Sequence, residues 1–272
     1  MKLALNGATM MNADLETDIR AASAAGFDAL EIWASKLRAY LSSRTAADLS
    51  NLFVTHNIRP YSINSIECIT FRDEPGHSAL LAECDELCRI AQVIRCPYIV
   101  VVPSPSPSGV SSNDIISESA QVLGELASIA AQHRVGLAFE FLGQTNCSVQ
   151  TLALADEIIR KVNLPNVGLV IDSFHFYAGG STIDSIKALD PDRLFIFHIN
   201  DAEDLPRERL EDRHRLLPGL GILPLKEIIR ALKHIGYDRV ASVEIFRPEY
   251  WRRDPFELAR DAHVAVEKAV QG

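Results

Sequence analysis

Gly168-Leu169-Val170-Ile171-Asp172-Ser173-Phe174-His175 is an apolar run that stops on a carboxylate, with an imidazole three residues later. The run is strand-sized and does not alternate. A strand buried on both faces reads this way, and such strands belong to parallel sheets covered by helices. Seven further runs of similar length flank it: Leu3–Asn6, Ala29–Trp33, Pro60–Ile63, Tyr98–Val102, Gly136–Phe141, Leu194–Asn200 and Val240–Phe246. Longer segments with helical spacing separate them. Leu15 to Ala25 ends at Gly26 and Leu225 to Ile235 ends at Gly236, each a C-cap signal. Asn113 to His133 places Ile115, Ile116, Val122, Leu123, Leu126 and Ile129 on one stripe. The last helix is predicted from about Pro255 to Val270, with the proline near its first turn.

Eight strand–helix units in 272 residues point to an α/β fold, a closed (β/α)8 barrel spanning residues 1–272 as one domain. An open doubly wound sheet would carry a glycine-rich phosphate loop after its first strand, and Asn6-Gly7-Ala8-Thr9 is not one. The Pro/Ser-rich stretch Pro103 to Gly109 directly follows a strand, so it reads as a stiff loop at the barrel mouth and not as a linker.

Composition narrows the function classes. Hydrophobic residues make up 47% and charged residues 23%, as in a soluble globular protein. A net charge of −9 argues against nucleic acid as a partner, because phosphate binding needs a basic face. No apolar run approaches the ~20 residues of a membrane span. The N-terminus enters a strand pattern at once, without a signal core. Five cysteines without framework spacing suggest reduced thiols and a cytoplasmic setting, with Cys84 and Cys88 read as core residues on one helix face.

Active sites of such barrels lie at the C-terminal ends of the strands. Four successive strands each carry one ionisable group within an apolar run there: Glu140, Asp172, His198 and Glu244. One acidic residue at a strand end is often just a helix cap. Four converging at one rim would repel unless a cation sat among them, and an O3N donor set suits one divalent metal ion, Mn2+, Zn2+, Co2+ or Mg2+. His175 is read as a substrate donor, a further ligand or a rim histidine. Asp201 is read either as orienting His198 or as a structural cap. Arg215, in a Gly/Pro-containing loop, could fix a substrate oxygen. Glu31 and Arg247 also lie at strand ends and are substrate-contact candidates. Trp33, Phe174 and Phe246 could pack on a sugar ring or simply fill the core.

The segments Asn6 to Thr9, Arg72 to His77, Glu140 to Gly143, Asn166 to Phe176, Phe197 to Asp204 and Ser242 to Tyr250 carry a resemblance. Over nearly its whole length the chain resembles the xylose isomerase-like barrel superfamily, in its sugar isomerase/epimerase branch. The Asp-Ser-Phe-His and Glu-Ile-Phe-Arg-Pro-Glu-Tyr stretches are similar to the members that act on inososes. The resemblance implies a metal-dependent isomerase working on a small cyclic or open-chain keto-sugar, with 2-keto-myo-inositol as the expected substrate. It implies that Glu140 and Glu244 are the acid/base pair, and that His175, Arg215 and Asn6 contact substrate. Leu216-Leu217 replaces an expected aromatic before Pro218, and Gln144 stands where a histidine is common. A ketose 3-epimerase, a dehydratase and a non-catalytic sugar-binding barrel are the alternatives. Related barrels often pair, which leaves a homo-oligomer open.

Overall fold

In the computed structural model, which describes residues 1–272, all eight expected strands form and close on one another. They are β1 (Lys2–Asn6), β2 (Ala29–Trp33), β3 (Arg59–Ile66), β4 (Tyr98–Val101), β5 (Gly136–Glu140), β6 (Val167–Asp172), β7 (Leu194–Ile199) and β10 (Val240–Val243). Two short strands, β8 (Asp201–Ala202) and β9 (Arg215–Leu216), form an antiparallel ribbon above β7. The barrel is parallel throughout and runs β1-β10-β7-β6-β5-β4-β3-β2. Two strands depart by three residues from their expected spans: β3 continues to Ile66 with register shifts against both neighbours, and β10 stops at Val243 instead of Phe246.

Successive side chains of a strand point to opposite faces, and here both faces are buried. Leu5, Leu30, Ile63, Ile99, Leu137, Phe139, Leu169, Ile171 and Phe197 pack outward, in one core with Ile19, Leu126, Ile158 and Leu232 from the helices. Ala4, Ala29, Val100, Ala138, Val170, Ile196 and Val240 form a second, smaller core. Small residues dominate it because the barrel interior has little room. Tyr98 and Phe195 stack at 4.7 Å, with Tyr61 beside them, and fill its lower part. The same alternation then carries the polar residues Asn6, Glu31, Asp172, His198 and Ser242 to the inside, all fully buried.

The helices start and stop as their caps dictate. Leu15–Ala25 begins under Asp14, whose side chain accepts from Thr17 N, and ends at Gly26 with φ 93°. Ser111 and Asp114 make a capping box for Ser112–Gln132, and Pro255 opens the last helix, Pro255–Gln271. The 103–109 segment bridges to the loop after β5 through Pro105 and Cys147, as expected for a loop at the barrel mouth. Cys84 and Cys88 are buried neighbours on Glu74–Ile94, and all five cysteines are free. No helix is long and apolar enough to cross a membrane.

Candidate metal centre and active site

Glu140 and Asp172 are the last residues of β5 and β6, His198 lies one residue from the end of β7, and Glu244 follows β10. Pairing aligns Asp172 with His198, and His198 with Ser242 two residues before Glu244. The four side chains therefore meet inside one rim. Each is buried, and each offers a donor atom within 4.8 Å of all the others.

His198 is the hub. Its Nδ1 lies 2.9 Å from Glu140 Oε1 and 3.3 Å from Glu244 Oε2. Its Nε2 lies 3.0 Å from Glu31 Oε1, a close charged contact that is not aligned with the ring N–H. Burial disfavours a charge on Glu31, but His198, with Ser242 and Ser62, holds its carboxyl below the ordinary value. Glu244 Oε1 accepts from Asn6 Nδ2 at 3.0 Å and Asn64 Nδ2 at 2.8 Å. Burial, reinforced by Glu140 and Asp172, pushes Glu244 up to about 8 against the pull of His198 and Arg215.

Asp172 divides its two oxygens. Oδ1 accepts from His175 N at 2.9 Å and caps the short helix Ser173–Ala178. Oδ2 accepts from Asn200 Nδ2 and from Arg215 Nη1, both at 2.8 Å. Burial opposes its charge, but Arg215, His175 and His198 hold it low. Arg215 is 1% exposed and lies between the rings of Phe174 (4.9 Å) and Phe246 (5.1 Å). Its Nη1 also reaches Glu244 Oε2 at 3.0 Å, and its Nη2 donates to Asp212 Oδ1 at 2.9 Å.

Arg215 Nη2 stands 3.0 Å from His175 Nε2. A guanidinium only donates, so Nε2 accepts and the His175 proton belongs on Nδ1. Burial, then the nearby Arg215, hold this imidazole below its ordinary value despite Asp172. Nδ1 is buried and has no protein partner, which leaves one N–H donor to spare. Above these groups lies a cavity of about 240 Å³. Trp33, Val102, Leu142 and Phe246 form its apolar wall, and Asn64, Glu67, Gln144 and Asp212 stand among its polar groups with Glu140, His175, Arg215 and Glu244.

Of the residues singled out in the sequence, Glu140, Asp172, His198, Glu244, Glu31, His175 and Arg215 thus come together. Asn6 joins them from below as a donor to Glu244. Arg247 is directed elsewhere, to Glu203 Oε1 at 2.7 Å, and is not on the cavity wall. Trp33 and Phe246 line the cavity, whereas Phe174 backs Arg215. Asp201 does not orient His198. It lies beyond the end of β7, where its carboxylate accepts the backbone N–H groups of Ala202, Gly219 and Leu223 and ties down the loop that follows β9. Asn64, Glu67, Asn200 and Asp212 escaped the sequence reading. An amide or acid at or just past the apparent end of β3 or β7 was the only signal for the first three, and Asp212, in the Asp212–His214 turn, had none.

The donor set fits a divalent ion. Four buried carboxylates, Glu31, Glu140, Asp172 and Glu244, face a single buried guanidinium, so the cluster is anionic even with His198 charged. Such a cluster is costly to bury without a cation. Three carboxylates and one imidazole are donors that Mn2+, Zn2+, Co2+ and Mg2+ all accept.

The chain is similar to known proteins over nearly its whole length. The chain is 39% identical to the inosose isomerase of Bacillus velezensis, over 99% of this chain and 97% of that one. It is 40% identical to the inosose isomerase of Bacillus subtilis, over 96% and 95%. A crystal structure of the IolI protein with a bound zinc atom superposes with a TM-score of 0.97 at 38% identity, covering 100% of this chain and 98% of that one. Residues 19–266 match the family described as the xylose isomerase-like TIM barrel, and the chain belongs to that family.

Proposed function

We propose that this isomerase moves the carbonyl of a cyclic keto-polyol to the neighbouring carbon, converting 2-keto-myo-inositol to 1-keto-D-chiro-inositol. The observation that carries the reading is the pair Glu140 and Glu244. Both carboxylates converge on His198 Nδ1, at 2.9 and 3.3 Å, from opposite neighbours of the β6–β7 pair. The likeness to two inosose isomerases supports the substrate class.

The C–H beside a ketone is too weakly acidic for a carboxylate in water. A divalent ion held by Glu140, Asp172, His198 and Glu244 would stabilise negative charge on the two substrate oxygens. One glutamate takes the proton from the hydroxyl-bearing carbon, and that C–H electron pair becomes the C=C bond of an enediol. The other glutamate delivers a proton to the former carbonyl carbon. The hydroxyl oxygen gives up its proton as it becomes the new carbonyl, and the old carbonyl oxygen gains one, so atoms and charge balance. His175 Nδ1–H is the free donor for a substrate oxygen. Arg215 holds Asp172 and Glu244 in place and is itself fixed by two aromatic faces. Trp33 and Phe246, edge to face at 5.4 Å, offer apolar surface to the C–H face of a ring. A cavity of about 240 Å³ suits a substrate smaller than a drug-sized ligand.

The test is chelation, then restoration of Mn2+, Co2+, Mg2+ or Zn2+ singly, with 2-keto-myo-inositol in D2O followed by proton NMR. Metal-dependent 1-keto-D-chiro-inositol with loss of a ring proton signal is expected. Exchange without that product would move the activity to a ketose 3-epimerase or a dehydratase. No exchange with any metal would leave a sugar-binding barrel.

A further inference from the structure

One cavity carboxylate has no part in the chemistry above. Glu67 follows β3 directly and stands on the cavity wall at its open side, whereas Glu140 and Glu244 are buried at the other end. It is held in two places. The Ser65 hydroxyl donates to Glu67 Oε1. The Arg72 guanidinium donates to the backbone carbonyls of Glu67 and Cys68, each at 2.7 Å, and of Gly76 at 3.3 Å. The loop backbone and one carboxylate oxygen of Glu67 are thus positioned in advance, which lowers the ordering cost of a ligand contact there.

The partner is not a cation of the protein. The one cation on the cavity wall, Arg215, is already engaged by Asp172, Asp212 and Glu244. Glu67 therefore keeps its remaining acceptor capacity for a ligand. A carboxylate accepts hydrogen bonds only, and it repels anions. Across the mouth stand Gln144 and Asp212, joined at 2.9 Å, so the acid there is not offset by any free positive group of the wall.

We propose that Glu67 is a specificity-determining residue: it accepts hydroxyl hydrogens from the ring carbons farthest from the reacting pair, and it excludes rings that carry a carboxylate or phosphate there. The inference rests on the isomerase reading for its reaction, but not for its ligand chemistry, which is that of a neutral cyclic polyol.

The experiment uses the metal-loaded protein and its Glu67→Gln, Glu67→Asp and Glu67→Lys variants. Glu67→Gln should raise KM for 2-keto-myo-inositol about tenfold, the scale of one charge-assisted hydrogen bond, while kcat, metal content and melting temperature hold. Glu67→Asp should recover part of the loss. Quinate, a carboxylated cyclitol, should compete with substrate in Glu67→Lys and not in the wild type. Unchanged KM in Glu67→Gln together with quinate still excluded by Glu67→Lys would overturn the proposal. Should the wild type turn over no cyclic ketone, the isomerase reading falls by itself, and calorimetric titration with myo-inositol then decides for Glu67. Binding that weakens about tenfold in Glu67→Gln upholds its role. Equal binding, or none to either protein, removes it.

Discussion

His198 Nε2 rests 3.0 Å from Glu31 Oε1, at a position where both residues are fully buried. Glu31 is in turn fixed by the Ser62 hydroxyl and approached by Asn6 Nδ2 at 3.4 Å. A carboxylate this close to a ligating imidazole raises its basicity through its charge, even without an aligned N–H bond. Glu31→Gln should therefore weaken metal affinity by about 10–100-fold while the barrel stays folded. Competition against a fluorescent chelator measures it, and an unchanged affinity would show that Glu31 does not tune His198.

Glu140→Gln and Glu244→Gln, assayed at saturating metal, should each lower turnover by at least about 100-fold, the usual share of a general acid or base. Deuterium wash-in at the ring carbons should vanish with turnover, and the far-ultraviolet dichroism should not change. Full exchange in both variants would remove the two glutamates from the reaction.

Stripping the metal should destabilise the fold, because three acidic ligands are left facing one another. An ion present at 100 times its dissociation constant contributes about 2.7 kcal/mol of linkage stabilisation. At about 2–4 °C per kcal/mol for a chain of this size class, the melting temperature should drop by roughly 5–10 °C on chelation. Recovery on adding Zn2+ or Mn2+ completes the measurement. A melt indifferent to metal would contradict binding at this cluster.

Away from the cavity, Lys36 Nζ pairs with Asp18 Oδ2 at 2.7 Å and donates to the carbonyls of Gly7 (2.9 Å) and Met10 (2.8 Å). The turn so held presents Thr9, whose hydroxyl bonds Val243 O and Ile245 N on either side of Glu244. Asp18→Ala strands a buried ammonium and should cost about 3–5 kcal/mol. Burial raises the Asp18 carboxyl to about 7, against the pull of Lys36. In the unfolded chain it titrates near its ordinary 3.8. The folded state thus holds this proton longer, so its stabilising contribution is complete below pH 3.8 and is lost as pH rises through about 7. In urea titrations the stability of the wild type relative to Asp18→Asn should fall from about pH 4 to about pH 7. A flat difference would mean that Asp18 titrates normally.

The barrel and the four proposed metal ligands were legible because one physical constraint fixes both. A strand buried on two faces shows as an apolar run, and an ionisable group breaking that run near its end must face its equivalents inside the rim. Glu140, Asp172 and His198 follow from this, and Glu244 lies one residue beyond the last paired position of β10. Glu31 was visible as a strand-end carboxylate, but not as the partner of His198, since that contact crosses the barrel between β2 and β7. Asn64 and Glu67 were hidden because β3 runs three residues past its apparent end at Ile63, through a register shift that no local pattern announces. Arg247 misled for a related reason, and of the two readings of Asp201 it is the structural cap that holds. Beyond the last ladder bonds, direction is set by the β8–β9 ribbon and by Glu203, and spacing along the chain carries no information about either.

Asp172 ends a strand with one oxygen committed to the next helix and the other to Arg215 and Asn200. The two halves of a single carboxyl serve separate masters. Asparagine would retain the capping oxygen and surrender the charge, at the expense of presenting its amide to two other donors. A designer wanting an inert sugar receptor from this scaffold would accordingly leave position 172 alone, since removing its charge would strand the buried Arg215 and cost the fold as well as the reaction.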